Sequence, residues 1–146
     1  GEIADVGLYS GLVDKVNSSL KKPGLLFVGD CKLSSLQNRA QIASGGHFYL
    51  APLPLTGNTA REMSEWINTG LAKEKENELV TILRENDQGK TVVAAHAYEF
   101  ERTQMESVES KLINWKERVI VAWSPDYCRQ QNQGLKKRLA AAKEKL

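Results

Sequence analysis

A single carboxylate, Asp30, follows a short apolar run at residues 25–28 (Leu-Leu-Phe-Val) and one glycine. An apolar run this short and uniform is typical of a strand that is buried on both faces, as in a parallel sheet covered by helices. In open α/β sheets, ligands and reacting groups gather beyond the carboxyl ends of the strands. Asp30 could therefore bind a divalent metal, accept a phosphoryl group or cap the next helix, and its position alone leaves these roles open.

The other residues that could carry chemistry are isolated in the sequence. His47 and His96 are far apart, which favours a polar or surface role for each over metal binding. Cys31 and Cys128 form no C-x-x-C pair, so the sequence indicates neither a zinc site nor a disulfide framework and predicts free thiols. Because Cys31 has no identifiable base nearby in the sequence, we interpret it as a small buried residue.

The segments around Asp30 alternate between helix and strand patterns. Apolar residues recur at three- and four-residue steps over residues 3–20, which predicts an amphipathic helix. A second helix is predicted from a serine cap at position 34 or 35 to about residue 44. The strand predicted next, around Phe48, should pair in parallel with the strand before Asp30. The order helix, strand, helix, strand predicts an α/β sheet.

After residue 56 the pattern changes. Thr59 and Glu62 form a T-x-x-E capping box, which predicts a helix that ends near Gly70. Two β-rich runs, residues 79–84 and 91–101, flank a turn-like segment and predict an antiparallel hairpin. A further strand is predicted over residues 117–124, close to the end of the chain.

The last segment predicts a basic helix, because Ser124 and Pro125 supply a cap and a first-turn proline for a helix that runs to Leu146. This segment carries a net charge of +4, leaving −2 for the rest of a chain whose formal net charge is +2. Clustered Lys and Arg supply non-specific affinity for nucleic acids, and a solvated helix face is the alternative interpretation. Its charged residues are Arg129, Lys136, Lys137, Arg138, Lys143 and Lys145, against Asp126 and Glu144.

Length and composition place the whole chain among globular proteins. Its 146 residues, with 41% apolar and 26% charged residues, predict a single domain with a real core. No apolar stretch approaches the length needed to span a bilayer, so we expect a soluble protein of the cytoplasm. The chain starts without Met at Gly-Glu-Ile-Ala, from which we expect that the sequence begins inside a longer protein.

Two stretches of the chain also carry a family resemblance. Residues 5–16 and 25–57 contain, in order, a Val-Gly-Asp strand end, a Leu-x-x-Arg-Ala helix and a Tyr-Leu-x-Pro-Leu strand. They resemble the middle of a bacterial insertion-sequence transposase of the DDE type, and residues 118–146 resemble it more weakly.

The resemblance implies a fold and a metal site. It implies a partial ribonuclease H-like core over residues 1–56 and, over residues 57–146, an insertion region with a β-hairpin and the basic C-terminal helix. In that family, two Asp and one Glu hold Mg²⁺ or Mn²⁺ for cleavage and transfer of DNA strands. Asp30 matches the second Asp, as catalytic residue and metal ligand.

The other two acids of the triad have no good match. No strand that could carry the first Asp precedes Asp30. The family's last Glu lies on a helix in a Tyr, Arg, Glu, Lys pattern. Tyr98, Arg102, Glu106 and Lys111 approach that pattern, but the Tyr lies one residue too far upstream and the Lys two residues too close.

We therefore expect a transposase fragment that is inactive alone. The resemblance implies transposon-end and target DNA as partners, and a homodimer of the full-length protein. The residues expected to contact DNA are Lys32, Arg129, Lys136, Lys137 and Arg138. One alternative is a non-catalytic DNA-binding or oligomerisation module built on the β-rich region and the basic helix. Another is a regulatory domain phosphorylated on Asp30, which lacks the expected companion acids and downstream Lys.

Overall fold

The structure, a computed structural model, describes residues 2–144, with the side chains of residue 9 and residues 11–144. Helices and strands alternate in its first half and strands dominate its second, so the mixed α/β class expected from the sequence is confirmed. The elements are α1 (Glu2–Leu20), β1 (Leu26–Val28), α2 (Leu36–Ser44), β2 (Phe48–Leu50), α3 (Gly57–Lys75), β3 (Val80–Glu85), β4 (Thr91–Val108), β5 (Lys111–Trp123) and α4 (Pro125–Glu144).

The strands form two sheets. β1 and β2 pair in parallel, with Phe27 opposite Tyr49, as the helix-strand-helix-strand pattern predicted. The second sheet has the order β3-β4-β5, and β3 and β4 are antiparallel, as predicted for the hairpin. Within the part of the chain that the structure describes, β1 has only one partner, so it is an edge strand and not a central one.

The chain divides into two compact units, and each unit is built from two stretches of sequence. The first comprises residues 1–64 and 101–117, and the second comprises residues 65–100 and 118–146. The segment boundary expected after residue 56 stays a prediction.

The core of the first unit lies on one face of the parallel pair. α1 packs on α2, and α2 contacts β2. Val13, Leu33 and Ile42 are at most 2% exposed and form this core, with Phe27 and Tyr49 packed against it.

The opposite face of the pair is exposed, so the expectation that residues 25–28 are buried on both faces is wrong. Leu26, Val28, Phe48 and Leu50 point away from the core and are 56–69% exposed. The physical reason is that α1 and α2 pack on one face of the sheet only. These four side chains are called the open apolar face below.

The local signals around α2 are confirmed. The side chain of Ser35 accepts a hydrogen bond from the backbone N–H of Asn38, and Gly45 caps the other end.

His47 lies two residues after Gly45 and is buried. Its Nδ1 accepts a hydrogen bond from the Leu25 N–H at 3.2 Å, and its Nε2 contacts Asn17 Oδ1. Since Nδ1 accepts, the proton of the neutral ring lies on Nε2. His47 therefore links the backbone before β1 to Asn17 on α1, in agreement with a polar role.

Helix α3 corrects two expectations. It begins at Gly57 instead of at the Thr59 cap, and it continues through Gly70 to Lys75. A Cβ added at Gly70 would lie 3.2 Å from ring atoms of both Tyr98 and Trp123. Gly70 therefore permits a close approach of aromatic side chains to the middle of the helix, and it is not a helix stop.

Strands β4 and β5 are longer than the pattern predicted. From residue 99 to residue 108 side chains alternate between exposed and half-buried, which is the two-residue period of a strand. Glu106 lies on this strand, so the helical Tyr, Arg, Glu, Lys interpretation is wrong here. Between the strands, Glu109 and Ser110 form a two-residue turn and both have positive φ, 47° and 64°.

Helix α4 begins at Pro125, as predicted, and the Cys128 N–H donates to the Ser124 carbonyl at 3.0 Å. It has no buried residue. Lys145 and Leu146 lie outside the described residues. None of the helices in residues 2–144 is long and apolar enough to cross a bilayer.

Candidate functional site

Asp30 lies two residues beyond the end of β1, and its carboxylate is exposed. Its Oδ1 accepts hydrogen bonds from the Lys32 N–H at 2.9 Å and from the Tyr9 hydroxyl at 3.1 Å. The Lys32 N–H is the main cause that lowers the pKa of Asp30 below its ordinary value, and Tyr9 adds to it. Asp30 is therefore a charged, solvent-facing carboxylate at neutral pH.

The backbone turns sharply just before and after Asp30. A Cβ added at Gly29 would lie 2.8 Å from Leu33 Cδ2, and Leu33 is a core residue at 2% exposure. The Leu33 N–H donates to the Asp30 carbonyl at 3.1 Å, and the Ser34 N–H donates to the Cys31 carbonyl at 3.2 Å. Glycine at position 29 therefore lets the chain pass over a buried leucine that anchors the loop.

Helix α2 braces residues 30–35, which we call the Asp30 loop. Asn38 Nδ2 donates to the Lys32 carbonyl at 3.1 Å, and Arg39 Nε donates to the Ser34 carbonyl at 2.9 Å. The Ser34 hydroxyl donates to the Pro52 carbonyl at 2.7 Å, which ties the loop to the chain after β2. Lys32 and Ser34 of the loop thus have hydrogen-bond partners outside it.

A buried ionic cluster lies beside the loop in the same unit. Glu117 on β5 accepts hydrogen bonds from Arg39 Nη1 at 2.6 and 2.7 Å, from Arg102 Nε at 2.7 Å, and from the Tyr49 hydroxyl. Trp115 Nε1 donates to the Tyr49 oxygen at 2.8 Å. We call Arg39, Tyr49, Arg102, Trp115 and Glu117 the Glu117 network.

The network keeps Glu117 ionised despite its burial. Burial raises the pKa of Glu117, but hydrogen bonds from Arg39, Tyr49 and Arg102 outweigh it and leave the pKa below its ordinary value. Burial and the hydrogen bond to Glu117 raise the pKa of Tyr49 to about 12. Tyr49 therefore stays protonated and remains a donor at neutral pH.

This network was not predicted, although the sequence contains one signal for it. Arg39 lies on the same side of α2 as Leu36 and Ala40, where a charged residue needs a buried partner. Glu117 likewise shares one face of β5 with Trp115, Val119 and Val121. A charge on each of two apolar faces was the sign of an ion pair.

The expected DNA-contacting residues lie on different units. Lys32 is adjacent to Asp30 in the first unit, and its side chain is exposed. The other four are exposed on α4, in the second unit, where Arg129 pairs with Asp126 and Arg138 Nε donates to the Gly134 carbonyl at 3.4 Å. The four are Arg129, Lys136, Lys137 and Arg138.

The metal and cysteine expectations have separate outcomes. Among the described residues, no group of three or more His, Cys, Asp or Glu side chains could hold a metal ion. Asp30 offers one oxygen ligand of the kind that Mg²⁺ prefers, and one carboxylate does not make a site. Cys31 and Cys128 are free thiols, as predicted, but Cys31 is exposed and not buried, because it lies on the outer side of the Asp30 loop.

Comparisons with known proteins give no relative. No protein-family model, no curated protein and no solved structure matches this chain.

Proposed function

We propose that this chain is a segment of a DDE transposase in which Asp30 is the second Asp of the catalytic triad. The observation that supports it most directly is an exposed, ionised carboxylate just beyond the carboxyl end of a parallel strand. In this proposal α1, β1, α2 and β2 are part of a ribonuclease H-like core, and β3 to β5 belong to its insertion. The partners are transposon-end and target DNA, with a homodimer of the longer protein in the bacterial cytoplasm.

The proposal gives this chain one metal ligand and no activity of its own. A bound Mg²⁺ or Mn²⁺ stabilises charge on the phosphate and activates the attacking hydroxyl in enzymes of this class. Among the described residues, no group of three or more His, Cys, Asp or Glu side chains is placed to hold such an ion, so the remaining ligands would come from elsewhere in the longer protein. The open apolar face supports an incomplete core, because parallel sheets are normally covered on both faces.

The test is cleavage of DNA by a longer protein that contains this segment. We expect Asp30→Ala to abolish strand cleavage while DNA binding is retained, because an exposed carboxylate contributes little to the fold. Asp87→Ala, which removes an exposed carboxylate from the turn between β3 and β4, is the matched control and should cleave normally. Wild-type cleavage by the Asp30 variant, or nicking by the 146-residue chain alone, would contradict the proposal.

A second candidate function is a DNA-binding module without catalysis, and α4 favours it. The helix has no buried residue, and Lys136, Lys137 and Arg138 are consecutive exposed cations on it. Such cations neutralise phosphates without reading bases. We expect weak binding that is independent of DNA sequence.

The salt dependence of binding tests this candidate. If about three phosphates are contacted, log K should fall with log[salt] at a slope of about −3. Changing Lys136, Lys137 and Arg138 to Gln should flatten that slope for every sequence. Changing Lys15, Lys21 and Lys22 to Gln removes the same charge from the first unit and should leave the slope unchanged. Equal slopes for both triple variants would count against α4 as the contact.

A further inference from the structure

One side chain connects the Glu117 carboxylate on β5 to the Asp30 loop. Arg39 Nη1 donates to both oxygens of Glu117, at 2.6 and 2.7 Å, while its Nε donates to the Ser34 carbonyl at 2.9 Å. The guanidinium is planar and its donors have a fixed geometry. The carboxylate on β5 and the loop carbonyl are therefore held in one fixed relation.

Burial makes this connection strong. Ser34, Arg39 and Glu117 are all at most 8% exposed, so water has little access to the hydrogen bonds between them. Hydrogen bonds to charged groups are stronger than neutral ones, and a low local dielectric strengthens them further. Movement of the Ser34 carbonyl would leave a buried donor of Arg39 unsatisfied.

The loop transmits this constraint to Asp30 over a short distance in the chain. The Ser34 N–H donates to the Cys31 carbonyl, and the Leu33 N–H donates to the Asp30 carbonyl. The Lys32 N–H then fixes the Asp30 carboxylate itself. Each of these bonds depends on the backbone of the Asp30 loop keeping its present turn.

We infer that Arg39 and Glu117 are positioning residues for Asp30: a buried ion pair anchored on β5 sets the loop that presents this carboxylate. Glu117 is 78 residues from Arg39 in the sequence, so a distant strand would control the geometry at the end of β1. The meaning of this control for catalysis rests on the proposed role of Asp30.

The same network supplies a matched control. Tyr49 donates to Glu117 and accepts from Trp115, but none of its hydrogen bonds reaches the Asp30 loop. Tyr49→Phe should therefore weaken the network without moving the loop. Arg39→Lys keeps the positive charge beside Glu117, but its single nitrogen cannot donate to Glu117 and Ser34 in the present geometry.

The test is amide hydrogen exchange by NMR on the 146-residue chain, with no DNA or metal. In Arg39→Lys, the amides of Leu33 and Ser34 should exchange about tenfold faster, the effect of losing one hydrogen bond of a charged donor. The Lys32 amide resonance should shift, because it reports the bond to Asp30. The amides of α1 and of the α2 interior should change much less, and Tyr49→Phe should leave the loop amides as in the wild type.

Three results would overturn the inference. The first is an unchanged exchange rate of the Leu33 and Ser34 amides in Arg39→Lys. The second is an equal acceleration of exchange in α1 and in the loop. The third is an effect of Tyr49→Phe on the loop amides as large as that of Arg39→Lys. If Arg39→Lys does not fold, exchange of the wild type in low denaturant replaces it. The Leu33 and Ser34 amides should then show the same free energy of opening as the amides around Glu117. Different free energies of opening would overturn the inference.

This experiment is independent of the cleavage test. Normal cleavage by Asp30→Ala would remove the proposed function and leave the loop result intact. A loop that does not respond to Arg39 would remove the positioning role and leave Asp30 as the proposed triad residue.

Discussion

Glu117 accepts four hydrogen bonds from three side chains of the first unit. Its carboxylate faces two guanidinium groups, and Arg102 also bonds to Glu62 at 3.2 Å. The two arginines and two glutamates balance in formal charge. A buried charge is tolerated only when it is paired and its hydrogen bonds are made, and here both conditions hold. Removing one partner should therefore cost more than removing a charge from an exposed position.

We expect Glu117→Gln to lower the free energy of unfolding by about 3–5 kcal/mol, because it leaves the buried Arg39 without a counter-charge. The measurement is urea unfolding at neutral pH. Glu101→Gln makes the same chemical change at an exposed position of β4 and should stay within about 0.5 kcal/mol of the wild type. Similar losses in the two variants would mean that the Glu117 ion pairs contribute little.

The same carboxylate predicts a pH dependence. The pKa of Glu117 in the folded chain lies below the ordinary value of 4.5. Its stabilisation is therefore complete above about pH 4.5 and is lost as the pH falls through the folded-state pKa. Urea unfolding between pH 7 and pH 3 should show a smaller acid loss in Glu117→Gln than in the wild type. Parallel profiles would contradict the assignment of this carboxylate to the acid transition.

At the scale of elements, α3 illustrates a limit of sequence patterns. Glycine is the usual helix stop, so the pattern placed an end at Gly70. The structure instead packs Tyr98 and Trp123 against that position, and the Tyr98 hydroxyl donates to the Trp66 carbonyl at 2.6 Å. A contact with a strand about 30 residues away decides the role of this glycine. Local propensity carries no information about it.

A pair of glycine substitutions separates packing from propensity. Gly70→Ala should destabilise the protein by about 1–2 kcal/mol, because the added methyl meets two aromatic rings at 3.2 Å. Gly134→Ala, on α4, has nothing within 4 Å and should stabilise by about 0.5–1 kcal/mol through helix propensity. Thermal unfolding measures both. A stabilising Gly70→Ala would mean that the rings move aside freely.

The elements near Asp30 were predictable because their signals are local. The serine cap at position 34 or 35, the helix end at about residue 44 and the parallel pairing of β1 with β2 each follow from short stretches of sequence. The full lengths of β4 and β5 and the ion pair of Arg39 with Glu117 were not predicted. These features depend on contacts between residues far apart in the chain, which one sequence without its fold does not reveal.

At the scale of the whole molecule, the open apolar face is the main departure from an ordinary soluble surface. Leu26 and Val28 on β1 lie opposite Phe48 and Leu50 on β2, so the exposed side chains adjoin one another. Contiguous apolar patches of this kind mark interaction sites or aggregation liabilities. The isolated chain should therefore bind a hydrophobic dye while it is still folded.

We expect Leu26→Thr combined with Phe48→Thr to reduce dye fluorescence by more than half and to raise solubility, because it interrupts the open apolar face. Leu112→Thr combined with Ile120→Thr removes two exposed apolar side chains that are well separated on β5. That control should change dye binding little. Circular dichroism checks that each variant is folded, and equal effects of the two pairs would contradict the assignment.

The turn between β4 and β5 has a consequence for the order in which the chain folds. Two residues connect strands of 18 and 13 residues, and a hairpin closed by so short a loop can form within about 1–10 μs. Glu109 and Ser110 both adopt left-handed backbone angles, which non-glycine residues populate at a penalty of about 1–2 kcal/mol each. The hairpin is therefore kinetically accessible early but is opposed by its own turn.

Replacing Glu109-Ser110 with Asn-Gly, which suits this turn, should stabilise the chain by about 1–2 kcal/mol. If hairpin closure belongs to the folding nucleus, the refolding rate measured by stopped flow should rise by the factor that corresponds to this gain in free energy. The unfolding rate should barely change. A gain that appears only as slower unfolding would mean that the nucleus forms elsewhere. In that case Glu117 would join Arg39 only after the rate-limiting step, and the loop that holds Asp30 would be among the last parts of its unit to become ordered.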